Sequence, residues 1–247
     1  WSSDVRSAVI VVLFSVSYFS YWRGGISIKE VFSDIIVEAP LGSRTKLTLP
    51  DGTLVWLNAG SRITYSQGFG VGNRKIELIG EGYFEVKRNE EVPFLVKTNS
   101  LLVKVLGTKF NFRDYPDDAE AIVSLSEGKV ALNNLLKKEK EAFLLPNERV
   151  VLNKKNGRMH VEYSTVSNAL QWTNGYLFFD EELLPDVVKE LERSYNVKIQ
   201  IASDTLNTFR FYGNFVHREQ NIQEVLEALS ATRKIHYIIE GHNITLY

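Results

Sequence analysis

Four histidines, His160, His217, His236 and His242, are the first candidates for metal or acid–base chemistry. They show no His-Glu-x-x-His or comparable ligand spacing, so satisfied or exposed rings are expected and metal ligation is not. Asp114, Asp117, Asp118 and Glu120 gather carboxylates, yet no twelve-residue calcium loop with its central glycine and terminal glutamate surrounds them, and Pro116 marks a turn. They read as a solvated acidic loop. Ser43-Arg44-Thr45-Lys46 matches the Ser-x-x-Lys string of acyl enzymes, which needs its serine at a helix start, whereas this string enters a strand. Gly68-Phe69-Gly70-Val71-Gly72 leads into a strand and not into the helix N-terminus that a phosphate cradle uses, and reads as a mobile turn. The run Lys137 to Glu141 mixes both signs and reads as a solvated loop or hairpin tip. With no cysteine, thiolate metal sites, cysteine nucleophiles and disulfides are all excluded. Paired carboxylates for glycoside hydrolysis are a three-dimensional property that a sequence leaves open. The expectation is a protein that is not an enzyme, with no catalytic residue, cofactor or metal.

Composition narrows the classes further. Lys plus Arg number 29 against 30 Asp plus Glu, a net charge of −1, and no stretch gathers the dense basic patch that phosphate backbones require. Nucleic acid is not an expected partner. At 247 residues, 44% hydrophobic and 24% charged, the chain suits two modest folded domains, each with a real core. It starts at Trp1 with no Met before it, so an upstream segment is expected.

Something must hold such domains in place, and residues 7–22, between Arg6 and Arg23, carry no charge. As a helix they cover roughly 24 Å, a marginal span of the hydrocarbon layer that needs the flanking arginines to snorkel. Tyr18, Tyr21 and Trp22 crowd the C-terminal end, where amphipathic rings settle among headgroups. A buried core helix or a signal-peptide region are the alternatives. The bulky run Phe19 to Arg23 argues against cleavage, and the lack of a polar stripe argues against a core helix. A transmembrane anchor over residues 1–23 is the expectation, with orientation unset because Arg6 stands against Arg23 and Lys29.

From about Ile35 to Tyr163 short alternating runs separated by Gly, Asn, Asp and Pro clusters predict strands. Pro50-Asp51-Gly52 predicts a hairpin between Lys46–Leu49 and Thr53–Leu57. Further strands are expected at 75–79, 83–87, 94–98, 101–106, 109–113, 121–125, 129–133 and 149–153, packed as a β-sandwich or a short β-solenoid spanning residues 24–168. Past Ala169 the pattern becomes strand, helix, strand, twice over, an α+β domain over 169–247 in the order βαβ-βαββ. Val187, Val188, Leu191 and Tyr195 share the inward face of its first helix, with Lys189, Glu190, Glu192 and Arg193 outside. Pro185 suits that helix's first turn, and Asn221 with Glu224 starts the second.

The residues of the β region come in a familiar order: Leu49-Pro50-Asp51-Gly52-Thr53, Trp56-Leu57-Asn58, Gly80-Glu81-Gly82-Tyr83-Phe84-Glu85-Val86, Pro93-Phe94, Val105 to Asn111, Leu125 to Val130, and Leu145-Pro146-Asn147-Glu148. They resemble the periplasmic domain of FecR-like anti-sigma regulators. Asn147 stands where a glycine is usual, and asparagine tolerates the left-handed torsion that such a turn needs. The C-terminal region, through Trp172, Gly175 and Phe178 and through Leu191-Glu192-Arg193 with Tyr195-Asn196-Val197, resembles the small signalling domain of secretins and TonB-dependent receptors. The resemblance implies an inner-membrane, single-pass regulator with residues after Arg23 in the periplasm. It further implies contact with the signalling domain of an outer-membrane TonB-dependent receptor, and cleavage by periplasmic and intramembrane proteases. A cytoplasmic segment, not among these residues, would hold an extracytoplasmic-function sigma factor.

An open sheet edge suggests how a partner docks, and the strand Phe209 to Phe215 is the candidate, with Arg210 and Tyr212 facing outward as partner-binding residues. The competing expectation is a membrane-tethered glycan- or cell-wall-binding module that stacks sugars on Trp56 and Trp172. A hydrolase comes third, and would need a cleft with facing carboxylates or a nucleophile beside a base.

Overall fold

A computed structural model describes residues 11–21, 33–163, 169–217, 219–231 and 235–247. Thirteen strands form one hydrogen-bonded network: β1 (Asp34–Ala39), β2 (Thr45–Thr48), β3 (Leu54–Leu57), β4 (Ser61–Ser66), β5 (Arg74–Glu85), β6 (Phe94–Lys97), β7 (Leu101–Val105), β8 (Lys109–Asp114), β9 (Glu120–Glu127), β10 (Val130–Asn134), β11 (Ala142–Leu144), β12 (Glu148–Asn153) and β13 (Met159–Tyr163). The sequence pattern predicts two strands at 75–79 and 83–87; the molecule has one long strand, β5, that belongs to two sheets. Its first half pairs with β4 and β6, and its second half with β3 and β8. Gly80 makes the bend between the halves. Its φ is +98°, and a Cβ there would lie 2.4 Å from Ser61 Oγ, so both torsion and space call for glycine.

Around that shared strand the sheets run β1-β4-β5-β6-β7-β10-β11 and β2-β3-β5-β8-β9-β12-β13, antiparallel except for β5 with β6. Together they nearly close on one core, in which Phe84, Phe94, Phe110 and Phe112 are fully buried and Phe84 stacks on Phe110 at 5.1 Å. The predicted hairpin joins β2 to β3, with Gly52 at φ +87°. Asn147 takes φ +67°, the left-handed turn that its sequence position anticipates. In the Gly68 to Gly72 turn the aromatic is not displayed: Phe69 is buried against Phe94.

The C-terminal unit has its own core and consists of β14 (Tyr176–Leu183), α1 (Leu184–Tyr195), β15 (Lys198–Ile201), β16 (Arg210–Val216), α2 (Ile222–Ser230), β17 (Tyr237–Glu240) and β18 (Asn243–Leu246). The predicted order is present, but the two strand-helix-strand repeats interlock. β14 pairs with β16 across the repeats, and β15 pairs in parallel with β18, whose other edge carries β17. Pro185 lies in the first turn of α1, and Asn196 ends that helix at φ +53°. Asn221 caps α2, its Oδ1 accepting from the Glu224 amide at 3.0 Å and its Nδ2 donating back to Glu224 Oε1 at 3.0 Å.

Of the predicted anchor, residues 11–21 are helical with Val11, Leu13, Phe14, Val16 and Phe19 exposed; residues 1–10, 22 and 23 lie outside the described residues. Among the described residues no helix is long and apolar enough to cross a membrane.

Candidate functional site

The richest chemistry lies where the C-terminal unit seats on the β unit. The face of the β unit is built from Asn58 after β3, Glu81 on β5, Asn111 and Arg113 on β8, and the turn carrying Tyr115, Asp117 and Asp118. Against it lie a short 3-10 turn, Gln171–Asn174, and the last turns of α1 with Glu190, Arg193 and Ser194.

Glu81 is buried inside the β unit. Asn58 Nδ2 donates to its Oε2 at 2.9 Å and Asn111 Nδ2 to its Oε1 at 2.8 Å. Burial raises its pKa, Arg113 opposes the rise and Glu190 adds to it. Arg113 bridges the units, its Nε donating to Asp118 Oδ2 at 2.8 Å and its Nη1 to Glu190 Oε2 at 3.4 Å. Arg193 reaches back, its Nη1 donating to Asp118 Oδ1 at 3.1 Å while the guanidinium lies over the Tyr115 ring at 3.9 Å. That stacked pose accounts for Arg193 Nε making no hydrogen bond. Burial pushes Glu190 and Asp118 upward, but Arg113 and then Arg193 outweigh it, and both carboxyls end below their ordinary range.

Two further contacts close the junction. Trp172 is 7% exposed and its Nε1 donates to Asn111 Oδ1 at 3.1 Å. The Gly42 amide donates to the Arg193 carbonyl at 2.8 Å, satisfying part of the C-terminal end of α1; Gly42 sits at φ +76° to do so. The junction thus couples the units through desolvated charges and amides.

Several sequence expectations change here. Glu190 and Arg193 do not cover the outside of α1; both are buried, because the face opposite the C-terminal core packs on the β unit. Asp118 is likewise no part of a solvated loop, and neither is Asp114, which pairs with Lys154 at 2.6 Å. Among the described residues no three His, Asp or Glu side chains gather as a metal site. Arg210 and Tyr212 stand apart from the junction on β16, exposed as their alternation predicts, with Phe211 and Phe215 turned into the core. Arg210 Nη1 donates to the Glu181 carbonyl at 2.6 Å, and a hydrogen bond with the Glu181 side chain raises the Tyr212 pKa. Neither tryptophan offers an open stacking face. Trp56 lies between Lys46, whose Nζ is 4.5 Å from the ring centroid, and Tyr83 at 5.3 Å, while Trp172 is spent on the junction.

Family models described as FecR protein and FecR, C-terminal match residues 36–131 and 176–246. Two crystal structures of a candidate anti-sigma factor from Parabacteroides distasonis ATCC 8503, at 1.65 and 2.50 Å resolution, each share 33% identity with the chain and superpose with a TM-score of 0.79. The similarity covers 86% and 87% of this chain, and 98% and 99% of theirs. No curated protein matches the chain in sequence.

Proposed function

The chain belongs to the FecR family of anti-sigma factors, and we propose that it relays a signal from an outer-membrane TonB-dependent receptor to an extracytoplasmic-function sigma factor by protein contact, catalysing nothing. Residues 7–22 tether it to the inner membrane, the β unit and C-terminal unit stand in the periplasm, and a cytoplasmic segment outside these residues holds the sigma factor. Periplasmic and intramembrane proteases then cut the tether.

The observation that supports a relay is the junction. A contact at the outer face of β16 is transmitted through the C-terminal core to α1, and α1 carries Glu190 and Arg193 into the β unit. Charges that are paired only in one arrangement make the seating of the two units sensitive to small displacements of α1. β14 and β16 form a two-stranded sheet, so each has an edge that a partner strand can extend.

Calorimetric titration of the whole chain with candidate receptor signalling domains tests this reading. Arg210→Ala with Tyr212→Ala is expected to weaken association at least tenfold, an ordinary size for exposed anchor residues. Association that is untouched by the double change removes β16 as the docking strand, and no association with any receptor domain removes the relay.

A further inference from the structure

The sheet β15-β18-β17 of the C-terminal unit ends at β17, Tyr237-Ile238-Ile239-Glu240. Among the described residues β17 pairs with β18 alone. Edge strands are commonly guarded by lysine, proline or a bulge. β17 has none of these: its register with β18 is unbroken, and Glu240 at its end is its one charged residue. Ile238 is 50% exposed and Ile239 39%. Ile239 lies opposite the buried Ile244 and so faces the core, yet it stays uncovered because among the described residues no strand follows it.

The ladder fixes which backbone groups this edge offers. The His236 amide donates to the Tyr247 carbonyl at 2.9 Å and the Tyr247 amide to the His236 carbonyl at 3.0 Å, so these two residues form a hydrogen-bonded pair. In an antiparallel ladder such pairs alternate with unbonded ones. Ile238 and Glu240 therefore bond to Thr245 and Asn243, and the amides and carbonyls of Tyr237 and Ile239 point away from β18. Side chains alternate too: His236, Ile238 and Glu240 share the outer face, Tyr237 and Ile239 the core face.

That edge is complementary to itself. When a second β17 runs antiparallel about a two-fold axis at Ile238, Tyr237 of each copy meets Ile239 of the other, and the free amides and carbonyls match in both directions. Ile238 then lies against Ile238, and His236 lies opposite Glu240 at both ends, so no like charges are opposed and each carboxylate faces an imidazole. On the core face, Tyr237 of one copy covers Ile239 of the other. We propose that two copies of this chain associate through β17, joining their three-stranded sheets edge to edge in an isologous pair. The pairing uses neither β16 nor the junction and does not rest on the relay reading. A contact this short falls below the about 1,200 Å² of stable pairs, so the association is weak and is best trapped covalently.

The chain has no natural cysteine, so single thiols report the register. The whole chain carrying Ile238→Cys, oxidised with copper–phenanthroline, is expected to form a disulfide dimer at least about tenfold faster than Lys104→Cys on the exposed face of β7, because paired unbonded positions sit only about 4.5 Å apart. His236→Cys and Glu240→Cys, each alone, should dimerise no faster than Lys104→Cys, since like residues lie about 13 Å apart in this register. Mixed, with one chain mass-tagged, they should cross-link to each other at least about tenfold faster than either does alone. Adding Ile239→Pro to Ile238→Cys removes an amide that faces the free edge and leaves the bonds to β18, so a variant with an unchanged melting temperature should lose the dimer. Ile238→Cys no faster than Lys104→Cys, a mixed pair no faster than its members, or a folded Ile239→Pro variant that still dimerises overturns the proposal, as does Ile238→Cys that cross-links to a cysteine-bearing receptor signalling domain and not to its own copy. The mixed pair needs no edge-breaking variant. Without a receptor domain the cross-linking tests β17 alone, so its failure leaves the relay standing, and failure of the receptor titration leaves the β17 pair standing.

Discussion

Arg193→Ala is the substitution that most directly asks whether the junction couples the two units. It removes an ion pair with Asp118 at 3.1 Å and a weaker one with Glu190 at 3.6 Å, and it strips the guanidinium from the Tyr115 ring. Breaking a buried pair typically costs about 3–5 kcal/mol, but Arg113 still touches both carboxylates, so about half of that is expected here. The desolvated ring contact contributes about 2 kcal/mol more, for a loss of about 4 kcal/mol. The backbone bond from Gly42 to the Arg193 carbonyl survives, so the loss falls on the side-chain lock alone. Urea unfolding followed by tryptophan emission should show the C-terminal unit releasing first, with Trp172 shifting to the red as it leaves Asn111. A double-mutant cycle with Asp118→Asn isolates the pair, with an expected coupling of about 1.5 kcal/mol. If the two losses add within about 0.5 kcal/mol and Trp172 emission moves no earlier than the main transition, the side chains do not hold the units together.

Acid should loosen the same seating. The folded pKa values of Asp118 and Glu190 lie below their ordinary 3.8 and 4.5, so their stabilisation is complete above those values and fades as pH falls through the lowered ones. Glu81 acts in the opposite sense, because its folded pKa is raised: its contribution is full below 4.5 and fades as pH rises through the folded value. Glu81→Gln removes that gain, so as pH falls toward 4.5 the melting temperature of the variant should drop relative to that of the parent, and a variant that tracks the parent over that range refutes the assignment. At α2, Asn221→Ala removes a reciprocal cap and should cost about 1 kcal/mol in urea unfolding, against nearly nothing for the neighbouring exposed Gln223→Ala.

What the residues disclosed in advance follows from range. Turn chemistry is local, so the Pro50-Asp51-Gly52 hairpin, the Asn147 torsion and the Asn221 cap are all readable before any coordinate. Helix faces are readable only relative to a partner that the sequence does not specify. Charge at Glu190 and Arg193 signals solvent to any periodicity argument, yet both are buried because a second surface, assembled from residues 58 to 118, arrives with complementary charge. The same long-range assembly hid Asp118 within an apparently solvated loop and fused two expected strands into β5. One faint signal was present: Gly80-Glu81-Gly82 places a carboxylate between glycines at the middle of a strand, where only close approach of other groups gives it partners.

The composition of the junction argues for a seating that can open. Had α1 met the β unit through leucines, parting would expose apolar surface at about 25 cal/mol per Å², and the two cores would behave as one. Here the pairs Arg113–Glu190 and Arg193–Asp118 are given up but their charges regain water, so the cost of parting is partly offset by hydration. Trp172 and the Gly42 bond fix a single register while the units are together. A surface with strong specificity and modest net cohesion is what a contact-driven relay requires, since a partner's binding energy at β16 must be able to compete with it.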